Sequence, residues 1–529
     1  MSSGREDDPP GAPPAAPPPA SSARRFPPRP RLAEHVLPRL HLVEGVERAV
    51  LHDTERDEVL VLEPRELTLV LAADGTRDFD GIVLAAARAG AYRRASEIAR
   101  LFADLEARGM LASGVRARSA VPRSEPDRPL EPLPAYHFAC DGNGGCCRTY
   151  ASIPFGELEV ARARTLFPEP LGAERDRLFV PLFGSTGERS AVTMVDGRCA
   201  FLDGRQRCRL ERAAAASSPP TRSEGTGADD PARRGKPRGC QTYPTTFIDD
   251  GVAVRVSLVV ECPCALTSLE VPFGAARQGG LVPAAARSVG DLWPGAGVLE
   301  LPVELAVARD RPRESRAALR RWSEVVCEAL LGVGAALDGV AIAWSLAEAL
   351  GSAGLSEAAA GAAVSAARPV EPGALAPWLA ALARHTRAKR AVTASFRAPA
   401  DRTRRLAAWI DAGASELARP GAAARALGGE GARPEHERLY LRALVWGHHL
   451  AASDRSLELA LRDRAVRMLL ARALAGTDPG DCRDDAALRG PLTAVEMLMR
   501  GGGLDHYVRA LAPAPASGDT ASPSPKVTT

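Results

Sequence analysis

FACDGNGGCCRTY (138–150) sets Cys140, Cys146 and Cys147 among three glycines and opens the cysteine-rich tract on which the reading of the whole chain turns. Downstream, CAFLDGRQRC (199–208) adds Cys199 and Cys208, KPRGCQTYPTTF (236–247) adds Cys240, and VVECPCA (259–265) adds Cys262 and Cys264. Eight of the ten cysteines thus fall in about a quarter of the 529 residues. A secreted mini-protein would use such thiols for disulfides. In a large chain with no apolar signal core near its start, the expectation is a cytoplasmic protein whose thiols bind metal. Structural zinc and iron–sulfur clusters need soft thiolates converging on one point. Gly142, Gly144, Gly145, Gly204, Gly239 and Pro263 beside the thiols let the backbone turn tightly around an ion. No clean C-x2-C pair occurs, so the spacing is not that of a zinc finger. All eight cysteines are candidate ligands, for zinc or for iron, the latter including a [4Fe–4S] cluster. Cys327 and Cys482 lie outside the tract and are expected to be structural or incidental.

The stretches CDGNGGCC, CAFLDGRQRC, PRGCQTYP and ECPC stand in the order found in the zinc- or iron-chelating CxxCxxCC family (YkgJ type), which this tract resembles over about 130 residues. The resemblance implies a metal-binding cysteine-cluster protein. Two departures stand out. Asn143 replaces the second cysteine of CxxCxxCC, so the first cluster supplies at most three thiolates, and Asn is a poor ligand for zinc or iron. An insertion of about 25 residues also precedes PRGCQTYP; a flexible surface loop of that kind need not disturb a site. Tyr243 and Pro244 are expected to form a packed turn behind Cys240. Arg148 is a surface residue or a counter-charge to thiolate. The flagellin lysine-N-methylase family looks similar in its CC pair, CPFL…C segment, C-x-x-YP segment and late CP. That resemblance implies the alternative, an S-adenosylmethionine-dependent protein lysine methyltransferase with a four-iron cluster.

Outward from the tract, composition divides the chain. Residues 1–30 hold ten prolines with no apolar periodicity, and 513–529 and the insertion at 212–237 share that character. All three read as disordered, since they bury too little apolar surface to offset ordering entropy. Between them, AVLHDTERDEVLVL (49–62) reads as a hairpin, Pro64 opens a helix, DGTRDFDGI (74–82) leads into a second, and a third begins at Ser96 and stops at Gly109. Hairpin plus three helices resembles the winged-helix-like PqqD family, which binds peptides, over 31–115. It implies a peptide or protein partner added along the hairpin edge.

From about 282 to 511 the sequence is Ala/Leu/Arg-rich with helical periodicity, as in RAALRRWSEVVCEALLGVG (316–334) and RSLELALRDRAVRMLLARALAG (455–476). GVGAALDG (332–339) is expected to lie within a helical run, where its G-x-G is a weak nucleotide signal. His448 and His449 are expected on a helix, where adjacent side chains point about 100° apart and cannot share one metal. Structural or surface roles are their expected lot. No HExxH string or Ser/His/Asp order is present, so catalysis is left open. A net charge of +3, with Lys+Arg 68 against Asp+Glu 65, argues against a nucleic-acid partner. The longest apolar stretch, 329–347, is broken by Asp338 and falls short of a membrane span. The expected fold is α+β: a small winged-helix-like domain (31–115), a cysteine module (130–275) and a mostly helical domain (282–511).

Overall fold

A computed structural model describes residues 26–53, 56, 58–114, 124–139, 144–149, 153–167, 178–182, 189–217, 235–270, 281–282, 286–292, 297–332, 338–397, 401–451, 455–475, 477 and 490–499. Cys140, Cys482, residues 218–234, and nearly all of both tails fall outside that set. The chain mixes helices and sheets, an α+β architecture.

The first unit runs β1 (Pro30–Leu32), β2 (Val36–Val43), β3 (Val46–Asp53), β4 (Glu58–Leu62), α1 (Pro64–Ala72), α2 (Phe79–Arg88), α3 (Ala95–Ala107) and β5 (Leu111–Ser113). The hairpin expected at 49–62 is β3–β4, paired from Ala49↔Leu62 to Asp53↔Glu58. Pro64 occupies the first turn of α1, where its missing N–H costs nothing. The Asp78 carboxylate caps α2 by accepting the Gly81 N–H. α3 ends before Gly109, whose φ of +68° suits glycine. Leu51, Ile82 and Phe102 anchor a closed core beneath these elements. Burying a side chain of that size stabilises the fold by about 1.5–3 kcal/mol.

The middle of the chain supplies β6 (Leu130–Pro132), α4 (Gly145–Thr149), β7 (Pro154–Gly156), α5 (Glu157–Leu166), β8 (Phe179–Pro181), β9 (Arg189–Val192), β10 (Met194–Val195), β11 (Arg198–Cys199), α6 (Arg209–Ser217), α7 (Arg238–Thr242), β12 (Thr245–Asp249), β13 (Val254–Leu258) and α8 (Pro263–Thr267). These elements do not form one layer. β7, β9 and β8 make a small sheet over Phe155, Phe179 and Phe201. β10 and β11 join the first unit instead, giving the strand order β11-β10-β2-β3-β4. β10 runs parallel to β2, with Met194 opposite His41 and Val195 opposite Leu42. The flexible insertion expected at 212–237 is corrected at both of its ends, while 218–234 lie outside the described residues. Arg212–Ser217 completes α6, with Ala214 buried, and Gly235 and Lys236 return against that helix.

β12, β13 and β6 extend toward the C-terminal part, which continues with β14 (Leu299–Glu300), β15 (Glu304–Leu305), β16 (Glu314–Ser315), α9 (Arg316–Gly332), α10 (Gly339–Ala353), α11 (Glu357–Ser365), α12 (Pro372–Phe396), α13 (Arg402–Leu417), α14 (Pro420–Leu427), α15 (Pro434–Trp446), α16 (Leu457–Ala475) and α17 (Pro491–Met499). The sheet β14-β12-β13-β6 packs under α9 and α15 and shares one large core with the helices. Of GVGAALDG, Gly332 ends α9 and Asp338 caps α10 by accepting the Val340 and Ala341 N–H groups, while residues 333–337 lie outside the described set. One expectation is corrected here. His448 and His449 lie past the end of α15, in a turn where His448 takes a φ of +51°. Both are buried. His449 Nε2 meets Thr246 Oγ1 at 2.7 Å, while the His448 ring faces Asp250. None of the described helices is long and apolar enough to cross a membrane.

Candidate metal-binding thiol cluster

Four separate segments bring five cysteines to one edge of the Phe155–Phe201 core. α4 carries Cys146 and Cys147, whose sulfurs stand 4.0 Å apart. β11 ends in Cys199, which is buried. The chain then loops back so that Leu202 N–H bonds the Cys199 carbonyl and Leu202 bridges Cys208. The Asp203 carboxylate holds that loop shut by accepting the Arg205 and Arg207 N–H groups. α7 presents Cys240 just before Tyr243–Pro244. Gly144 lets the first segment approach the loop: its φ is +67°, and a Cβ there would meet the Gln206 carbonyl at 2.8 Å and Leu202 Cδ1 at 2.9 Å.

The electrostatics follow from crowding. The hydrogen bond shared with Cys146, which holds the Cys147 proton in place, is the main influence raising the Cys147 thiol, followed by burial and the neighbouring Cys199 and Cys240. Burial pushes Cys199 up to about 12, with Cys208 and Cys146 adding to it and the Phe201 N–H opposing. Burial, then Cys146, Cys199 and Cys208, raise Cys240 well above an ordinary thiol. Burial likewise raises Cys208, against the charge of Lys236, which forms an ion pair with Glu211 at 2.8 Å. Each thiol therefore penalises ionisation of the others. A cation among them would reverse that penalty, because thiolates are the ligating form.

The donor set suits a soft metal. Tetrahedral thiolates about 2.3 Å from zinc stand about 3.8 Å from one another, close to the Cys146–Cys147 separation. Among the described residues, however, no three Cys, His, Asp or Glu side chains converge tightly enough to hold an ion as they stand.

Cys262 and Cys264 take a different place. Cys262 is the N-cap of α8, Pro263 fills its first turn and Cys264 follows within the helix. Both are buried in the large core, beside Tyr136. Ser268 Oγ accepts the Ala139 N–H at 2.9 Å and reaches the Cys264 carbonyl at 2.6 Å, which brings the residue before Cys140 to this helix. Cys140 itself lies outside the described residues. Cys327 is buried in α9, its thiol pushed up to about 12 chiefly by burial. Arg148, on α4, is half-buried.

Sequence reasoning did not find Lys236 or Asp203 as companions of the thiols. DG in DGRQRC was a turn signal that could have marked Asp203; nothing in the sequence placed Lys236 beside Cys208. Comparison of the chain with protein-family models, curated proteins and solved structures yields no match.

Proposed function

We propose that this chain is a metal-binding cysteine-cluster protein that takes up zinc or iron, the latter as an ion or an iron–sulfur cluster. Cys146, Cys147, Cys199, Cys208 and Cys240 are its principal ligands. One observation carries the reading: five thiols from four segments, one buried and four half-buried, share one small neighbourhood, although partial burial and mutual repulsion both work against their ionisation. A cluster with that handicap makes physical sense around a cation. A bound ion would supply positive charge that stabilises the thiolates and cross-links segments otherwise joined only by short elements. Cys140, Cys262 and Cys264 remain candidates for the same ion or a second one.

The first unit would recognise a peptide or protein. Within the described residues, β4 is hydrogen-bonded to β3 alone, leaving its outer edge for an added strand, with α12 passing alongside.

Metal analysis and an absorption spectrum after anaerobic purification test the central claim. Less than about a tenth of a metal ion per chain would refute it, since structural thiolate sites bind tightly enough to survive purification. Serine at Cys147, Cys199, Cys208 or Cys240 should strip the metal, whereas serine at Cys327 should not.

A further inference from the structure

The turn that delivers Cys199 is gripped from two sides. On one side, Met194 and Val195 pair with His41 and Leu42, and the Asp196 N–H donates to the Leu42 carbonyl at 2.8 Å. Asp196 Oδ1 in turn accepts the Glu44 N–H at 2.9 Å, so the hold on the first unit is double. On the other side, Gly197 lies so close to Asp401 that a Cβ would collide with its carboxylate. Asp401 has nowhere to retreat. It is buried, its Oδ1 caps α13 by accepting the Thr403 N–H at 2.8 Å, and its Oδ2 takes an Arg397 N–H at 3.1 Å. α13 also packs on α4, the helix of Cys146 and Cys147.

The backbone is specialised for this position. Asp196 and Gly197 have φ of +46° and +76°, a pairing that asparagine, aspartate and glycine tolerate and bulkier residues do not. Two residues later the strand reaches Cys199, which pairs back to Met194. Met194 is wholly buried, so the hairpin has little freedom to slide.

We propose that Asp196 and Gly197 are positioning residues for Cys199. They fix the hairpin between the first unit and α13, so the affinity of the thiol cluster for a thiophilic ion depends on the contacts this turn makes with each, rather than on the core stability of either. This rests on reading the thiols as ligands. Neither residue touches a sulfur; each acts through the two-residue strand that follows. Metal sites tolerate only about 0.2 Å of error in ligand distance, so a turn released from either side misplaces the Cys199 thiol. Linkage makes the relation reciprocal: an ion that draws Cys199 inward strengthens the grip of β10 on β2.

The experiment uses the full chain, stripped of metal and titrated anaerobically with cobalt(II) against a chromophoric chelator. Asp196→Ala and Gly197→Ala should each weaken cobalt binding roughly 10–100-fold, the usual effect of removing a group that orients a ligand. Both should also weaken the thiolate-to-cobalt charge-transfer band. Asp196→Asn keeps the acceptor oxygen and the left-handed backbone and should restore near-native binding. Phe102→Leu, in the core of the first unit, lowers the melting temperature without touching the turn and should leave cobalt affinity unchanged. Native-like binding by the two alanine variants would overturn the proposal, as would an equal loss in Phe102→Leu. If the unaltered chain takes up no cobalt, the metal reading itself fails. Alkylation then decides the positioning claim: Cys199 should react at least about tenfold faster in Asp196→Ala, relative to Cys327, and return to its original rate in Asp196→Asn. An unchanged rate overturns it.

Discussion

His448 Nε2 stands 3.6 Å from Asp250 Oδ2, and neither side chain has any exposed surface. The pair closes a junction between sheet and helices. Arg255, also wholly buried, reaches Asp250 at 3.3 Å and Glu131 at 3.1 Å and stacks its guanidinium 3.9 Å over the Trp446 ring. Arg320 adds contacts of 2.8 Å to Asp250 and 2.7 Å to Glu131. The sheet strand β13 and the helices α9 and α15 are therefore joined by paired charges as well as by apolar contact.

Acid should loosen the fold well before carboxylates titrate. Burial lowers His448 below the usual imidazole value, with Arg255 adding to it and Asp250 opposing. Burial also lowers His449 to about 3 and His41 well below normal, the latter aided by Arg397 and Arg39. A histidine whose folded pKa is depressed gives stability that is full above about pH 6.5 and is lost as pH falls toward the folded value. With three such groups the slope is about 4 kcal/mol per pH unit at most. Thermal melting between pH 7.5 and pH 5 should show a steep fall in melting temperature. A flat profile would contradict the buried neutral histidines.

Removing Arg255 should be costly. Arg255→Met keeps bulk over Trp446 but takes one of two guanidinium partners from the buried Asp250 and from Glu131, a loss of about 3–5 kcal/mol. Urea unfolding measures it. A loss under about 1 kcal/mol would mean that Arg320 alone satisfies Asp250.

Two glycines in the cysteine tract should behave differently. Gly144→Ala faces a left-handed backbone and contacts of 2.8 and 2.9 Å to the 199–208 loop. It should cost at least about 1–2 kcal/mol. Gly204→Ala meets nothing within 4 Å and should be nearly neutral. Melting temperatures of the two variants compare them directly, and equal effects would argue against the close approach of the two segments.

Trimming the insertion should depend on where the cut falls. Replacing 218–234 with a short Gly/Ser link should leave melting temperature and metal content unchanged, as loop shortening alters closure entropy by only about 0.6 kcal/mol per halving. Removing all of 212–237 takes away two thirds of α6, the Lys236–Glu211 pair and the packing of Gly235 on Leu210. That larger deletion should lower the melting temperature clearly.

Local signals were read well and long-range ones were not. The β3–β4 hairpin and the three helices after it were legible because Pro64, Asp78 and Gly109 carry their own start and stop chemistry. The eight-residue β2 was missed: VLPRLHLV holds a proline and a basic residue, and its partners are set by tertiary contacts. β10 and β11 were illegible for the same reason, since two-residue strands have no period to detect. The clustering of cysteines in sequence marked the right tract. It could not separate Cys262 and Cys264 from the other described thiols, because that depends on α8 starting at Pro263 beneath the helical core. The turn at His448 has no sequence signal of its own, because HERLYLRALVWGHHLAA keeps its apolar period past Gly447. What ends α15 there is close packing: a Cβ on Gly447 would meet Ser257 and the His449 ring.

The parallel pairing of β10 with β2 also imposes a schedule on synthesis. Glu44 and Asp196 are 152 residues apart, an interval that a ribosome working at about 5–20 residues per second covers in roughly 8–30 s. Through that interval the nascent first unit carries β2 as an unfinished sheet edge, the kind of edge that other strands join readily. The N-terminal unit thus waits, unfinished, until the chain has reached about residue 199, and its final strand arrives carrying a cysteine.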